Sequence, residues 1–285
     1  MRLFICADME GATGIVHPKD TFETGGEAYR IGCRLLTGDI NAVIEGAVLA
    51  GVTDVVVSEG HAHMRNVLLE QLHPCARLVR GPPTWENKPL CQIQSLNESF
   101  DLAFFVGFHS RAGTPRGLLA HTWAGSIVHE ITLQGKVVGE TAINAAICGA
   151  YGVPVALVTG ADDVCREARA DLGEVETVEI KKALGWNIAE CWGPAATHPR
   201  LREGAERAVR RFLAGQFEPV RSSLPATAEL ETHRREMVEK MLMVPGIERI
   251  GSRRIRTHQP DAQLALSTLW RAVTEAFKEP ADWLK

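Results

Sequence analysis

The chain has 285 residues, 45% of them hydrophobic and 23% charged. That balance excludes a disordered tail, a collagen-like fibre and a small disulfide scaffold, and a chain this long buries roughly three quarters of its unfolded surface. Thirty-one Lys and Arg against 35 Asp and Glu leave a formal net charge of −4, which gives no electrostatic footprint for a phosphate backbone, so no nucleic-acid partner is expected.

From the first residues, short β-rich apolar runs alternate with longer helical patterns, the signature of an α/β fold with a mostly parallel central sheet flanked by helices. The opening MRLFICADMEG has an apolar part too short for a signal peptide, and no run of about 18 apolar residues follows, so a cytoplasmic protein without a membrane partner is expected. Residues 2–7, 54–57, 76–79, 102–106, 155–159 and 176–180 are predicted strands, apolar enough to be buried on both faces. Residues 27–51 read as a long helix, with Ile31, Leu35, Ile40, Val43, Ile44, Ala47 and Val48 at helical spacing and Gly51 as its stop. Residues 140–151 form a second helix, of small residues. Residues 127–133 and 137–138, turning at Gln134-Gly135-Lys136, read as a β-hairpin. Asp162 and Asp163 are placed to cap a helix over 164–172.

Beyond residue 183 the pattern changes. An Arg-rich amphipathic helix is predicted over 199–217, and residues 218–225 form a linker with two prolines. A strand at 226–232, a helix at 234–243, a strand at 249–257 and a helix at 261–277 then make a smaller C-terminal α+β lobe. The expected division is a larger α/β domain over 1–217 and this lobe, 218–285, packed on it. The seven cysteines are scattered, odd in number and without a C-x-x-C pair, as suits reduced thiols.

The candidate chemistry sits at strand ends. Asp8 and Glu10 are two apart where the first strand finishes, and an extended backbone continuing that far would turn both carboxylates to one face. The second strand runs through Ser58-Glu59-Gly60 into His61, and the fourth through Gly107-Phe108 into His109. Carboxyl ends of strands in open α/β sheets are where ligands bind, and imidazole with carboxylate suits zinc or a similar divalent ion. Glu140, opening its helix, is a fifth candidate ligand, with favourable placement at the helix N-terminus as its plainer explanation. Five ligands exceed one tetrahedral zinc that keeps an open position but suit two ions sharing a carboxylate, with Asp8 as the natural bridge; such a pair activates water and polarises a carbonyl, the chemistry of amide hydrolysis. His121, on the long loop after His109, is the candidate catalytic residue, a proton carrier beside the metals.

The segments ICADMEGATG, SEGHAHMRN, LHPCARL, FFVGFHSRAGTPRG, LLAHTW, VVGETAINA and VPVALVTGADD follow in an order that resembles the D-aminopeptidase (DppA) family of metallopeptidases over roughly residues 1–180. The resemblance implies a binuclear zinc centre with two ions per subunit, Asp8 bridging, Glu10 and His61 on one ion, and His109 and Glu140 on the other. It implies that His121 acts as nucleophile or acid–base residue, that the substrate is a short peptide losing its N-terminal residue, D or L, and that subunits form a homo-oligomer, a decamer of two pentameric rings. Cobalt or manganese are alternative ions. Two departures stand out: Glu59-Gly60-His61 replaces an Asp-Ser-His of the family, and the last hundred residues match poorly.

Two other readings compete. A magnesium-dependent phosphatase of the haloacid dehalogenase type would use Asp8 as covalent nucleophile and Asp162-Asp163 as its later acidic motif, but leaves the three histidines without work. A non-catalytic ring scaffold stabilised by metal would not need a site with room for water.

Overall fold

In a computed structural model describing residues 1–277, the apolar runs pair into two sheets. The chain passes through β1 (Arg2–Ala7), α1 (Pro18–Thr21), α2 (Glu27–Leu49), β2 (Asp54–Glu59), β3 (Ala76–Val79), β4 (Leu102–Phe108), β5 (Val128–Leu133) and β6 (Lys136–Val137). It continues through α3 (Glu140–Ala150), β7 (Val155–Ala161), α4 (Asp162–Leu172), β8 (Glu176–Gly185), β9 (Ile188–Cys191) and α5 (Pro194–Leu213). The last elements are β10 (Ala226–Thr232), α6 (Arg235–Met241), β11 (Glu248–Arg249), β12 (Arg254–Gln259) and α7 (Ala262–Phe277).

The larger sheet has the order β3-β2-β1-β4-β7-β8-β9, parallel except for β9 at its edge. Both faces are covered, as the apolar strands require: Phe4 and Cys6 of β1 enter one core, while Leu3, Ile5 and Ala7 enter the other with Ile40, Val43, Ile44 and Ala47 of α2. Each such large side chain removed from water contributes about 1.5–3 kcal/mol. Helices α2 and α5 approach closely on that face, and Gly46 makes this possible, because a Cβ there would stand 2.0 Å from the Arg202 carbonyl oxygen.

The smaller sheet, β11-β12-β10-β5-β6, is antiparallel. Its β5–β6 hairpin comes from within the first 217 residues and pairs with β10 from beyond the linker, so the sheet draws on both sides of residue 217. One apolar cluster runs without a break from Phe4 and Phe105 to Leu230, Ile255 and Leu269.

The six strands expected in the parallel sheet all form, and four of them continue further at their carboxyl ends than the apolar pattern indicates. Other elements differ. Helix α5 starts at Pro194, where a proline costs no hydrogen bond, and carries Pro199 in its interior, held by the buried face of Leu201, Ala205, Ala208 and Val209. The strand expected over 249–257 divides into β11 and β12, and β9 carries no apolar run to announce it. Asp162 and Asp163 do not cap α4, whose N-cap is Ala161. All seven cysteines are free thiols. Among the described residues no helix is long and apolar enough to cross a membrane.

Candidate metal centre

Strand β1 lies between β2 and β4, where the winding of the parallel sheet reverses direction, and the three carboxyl ends open on one crevice. Asp8 follows β1 directly, its N–H donating to the Val106 carbonyl at 2.8 Å. The chain then turns tightly against β4. A Cβ at Gly11 would sit 1.9 Å from the Phe108 carbonyl oxygen, so only glycine allows the turn this close to the strand that delivers His109.

The five expected ligands meet. His61 Nδ1 is 3.5 Å from Asp8 Oδ1 and 2.9 Å from Glu10 Oε2, while His109 Nε2 is 3.4 Å from Asp8 Oδ2 and 3.4 Å from Glu140 Oε1. The two Asp8 oxygens are thus divided between two groups, Asp8–Glu10–His61 and Asp8–His109–Glu140. A third group joins Glu10, His109 and His121, with the His121 ring stacked on that of His109 at 4.1 Å. His121 Nε2 stands 4.0 Å from both Glu10 Oε1 and Glu140 Oε1, and its side chain is 26% exposed, whereas the five others are 2–5% exposed.

Each imidazole is locked by a backbone carbonyl on its other nitrogen: His61 Nε2 with Thr21 at 2.9 Å, His109 Nδ1 with Ser110 at 2.9 Å, and His121 Nδ1 with Leu119 at 2.8 Å. With those N–H groups donating outward, each ring turns its other nitrogen towards the carboxylates, the orientation of a metal-ligating histidine. Asp8 Oδ2 and His109 Nε2 are buried and have no hydrogen-bond partner, and the His61 contact of buried Glu10 Oε2 lacks hydrogen-bond geometry. Such atoms are costly unless something else satisfies them.

The electrostatics agree. Burial pulls the His61 imidazole down, but Glu10 and Asp8 outweigh it and lift it to about 10. His109 is raised well above its ordinary value in the same way by Glu140 and Asp8, against its burial. Burial pushes the Asp8 carboxyl up, yet the His109 and His61 imidazoles facing it hold it well below the usual carboxylate range. Three buried carboxylates draw in positive charge, and in its absence protons on the histidines supply it.

Glu140 is the first residue of α3 and does not cap it; its oxygens accept from Gln92 Nε2 at 2.5 Å and the Trp123 N–H at 2.6 Å, and Gln92 is itself held by Asn144 at 2.6 Å. Glu59, the departure from the family pattern, does not reach the cluster. It accepts the Asn66 and Val67 N–H groups at 2.5 and 3.2 Å, and Asn66 Nδ2 donates to the His61 carbonyl at 2.8 Å. His63 faces solvent.

Residues with no sequence signal also hold the site. Lys181, fully buried in β8, donates to the carbonyls of Glu10, Ala12 and Ile15 at 2.6, 2.7 and 2.6 Å. Asp39 of α2, also fully buried, accepts from the N–H and the hydroxyl of Thr13, both at 2.7 Å. The carboxylates of Asp162 and Asp163 are engaged elsewhere: Asp162 takes the Ala183 N–H and Arg166, and Asp163 takes Ser110 Oγ and the Leu118 N–H. That removes the acidic pair the phosphatase reading requires.

The D-aminopeptidase family model matches residues 1–271, which extends the resemblance well past residue 180 and into the C-terminal lobe. A D-aminopeptidase of Bacillus subtilis (strain 168) is 34% identical over 204 residues, 71% of this chain and 72% of that protein. Among solved structures, the zinc-dependent D-aminopeptidase DppA from Bacillus subtilis, described as a self-compartmentalizing protease, superposes with a TM-score of 0.91 at 27% identity, covering 99% of this chain and 100% of the other. A family model matched over nearly the whole chain, together with this agreement in fold, places the chain in the D-aminopeptidase family of metallo-aminopeptidases.

Proposed function

We propose that this chain releases N-terminal D-amino acids from short peptides with two zinc ions held by Asp8, Glu10, His61, His109 and Glu140. The observation that carries the reading is the division of Asp8: one oxygen faces His61, the other faces His109, and each oxygen belongs to its own group of three donors. Imidazole and carboxylate donors suit zinc over magnesium, and the zinc dependence of the solved relative points the same way. Glu10 and His61 complete one ion's donor set, and His109 and Glu140 the other's.

Zinc bound there supplies Lewis-acid polarisation of the scissile carbonyl and activation of water. The protein supplies orientation: Gln92 and the Trp123 N–H fix Glu140, and the three backbone carbonyls fix the rings. His121 is the acid–base residue. It is the most exposed member of the cluster and its Nε2 lies between Glu10 and Glu140, so it can take a proton from attacking water and return it to the departing amine.

The reading includes an assembly of identical subunits, two stacked pentameric rings in the cytoplasm, supported by the self-compartmentalizing nature of the solved relative. Leu184, Trp186 and Ile188 leave an exposed apolar tip where β8 turns into β9, a surface suited to burial against another copy. The test is elemental analysis of tag-free protein, followed by hydrolysis of paired D- and L-aminoacyl amides. About two zinc ions per chain with a D preference is expected; magnesium alone, or no cleavage of either series, would overturn the reading.

A further inference from the structure

Lys181 contributes no atom to the cluster, yet its ammonium is spent on the turn that carries Glu10. We propose that Lys181 is a positioning residue for the ion on the Glu10 side of the shared centre, an inference that rests on the two-ion reading above.

Strand β1 ends at Ala7, so Glu10 is not aimed by the sheet. Three carbonyls of the following turn, from Glu10, Ala12 and Ile15, converge on one nitrogen. An ammonium has three donors, and all three are used here. On the other side Asp39 grips the Thr13 N–H and hydroxyl, and Thr13 Oγ1 also meets Thr197 Oγ1 at 2.9 Å. The turn is therefore held between a buried cation on its carbonyls and a buried anion on its N–H. Burying a lysine is expensive unless its charge is compensated, so a residue that only filled space here would be apolar. The other ion's ligands arrive by different routes, His109 from the end of β4 and Glu140 from the start of α3. Loss of Lys181 is accordingly expected to act on one ion, not both.

The experiment titrates the full-length protein, stripped and reloaded with zinc, against a chromophoric chelator. Wild type should show two tight ions. Lys181→Met should keep one at wild-type affinity and weaken the other by about ten- to a hundredfold, the scale of contacts that orient a ligand from outside. Glu10→Gln should weaken that same ion, and the double variant should lose little more than Glu10→Gln alone, as expected for residues acting as a unit. Glu140→Gln should weaken the other ion. Lys181→Gln, which keeps amide donors without the charge, should lie between wild type and Lys181→Met.

The proposal is overturned if Lys181→Met retains both ions at wild-type affinity or weakens both alike. It is also overturned if both Lys181 variants lose the far-ultraviolet signature of the fold, because the residue then holds the fold and not Glu10. A wild-type protein that binds a single ion defeats the two-ion reading itself, a result visible before any variant is made.

Discussion

Two parts of this molecule are rich in acid and base, and they behave in opposite ways. On the outer face of the smaller sheet, Glu229 and Glu231 of β10 stand opposite Arg256 and Arg254 of β12, with Arg254 at 2.7 Å from Glu231 and Arg256 at 2.7 Å from Glu229. Glu130, Glu248 and Arg253 extend the same ladder. Every charge there has an opposite neighbour and access to water. In the crevice above β1, three carboxylates crowd three imidazoles, all but His121 with almost no exposure, and several of their atoms lack a partner. The ladder is complete as it stands, whereas the crevice is short of positive charge. Composition alone does not separate the two; burial and imbalance do.

Breaking this contrast should have its largest effect at the shared carboxylate. Asp8→Ala removes an oxygen from both groups and should abolish zinc retention and peptide hydrolysis together, read by elemental analysis and activity on the same sample. His121→Ala should keep both ions while turnover falls by about 10²- to 10⁴-fold, the usual worth of a positioned acid–base group; full activity would remove His121 from the mechanism.

Proton release sharpens the contrast further. Because Glu10 and Asp8 lift His61 to about 10, zinc entering stripped protein at pH 7 must displace protons, and affinity should climb with pH. Calorimetry in buffers of different ionisation enthalpy checks this, and an apparent enthalpy independent of buffer would contradict it. The raised value also fixes a sign for stability. In the stripped protein the protonated imidazole stabilises fully below its ordinary value of 6.5, and that contribution disappears as pH rises through about 10. Metal-loaded protein should not show this decline in thermal scans.

The smallest effect belongs to the ladder. Glu231→Gln should cost about 0.2–1 kcal/mol and leave zinc content and turnover unchanged, as expected of exposed pairs.

Much of this was legible in the sequence because the elements concerned are local. Asp8, His61 and His109 each follow a buried apolar strand, and parallel pairing brings such ends together whatever lies between. Glu140 and His121 stand out in the sequence by residue type alone, since a helix start and a loop carry no pairing rule, and the family resemblance adds to that reading. Lys181 was hidden by a register shift. Val178 and Ile180 of β8 are buried in alternation, which would turn Lys181 outward, but the pairing jumps between Gly160–Glu179 and Ala161–Lys181 and the lysine faces in. Gln92 lies in a single 3-10 turn, Cys91–Ile93, between β3 and β4 with nothing periodic to mark it. The union of β5 with β10 joins strands nearly a hundred residues apart, and no local pattern encodes that.

That union also bears on how the enzyme comes into being. The loop bearing His121 runs directly into β5, whose partner β10 leaves the ribosome only after residue 226. His233, just past β10, donates its N–H to the carbonyl of Ile127 at the foot of the loop. A nascent chain that has already made all six residues of the crevice cluster still lacks the strand that pairs with β5, into which the His121 loop runs.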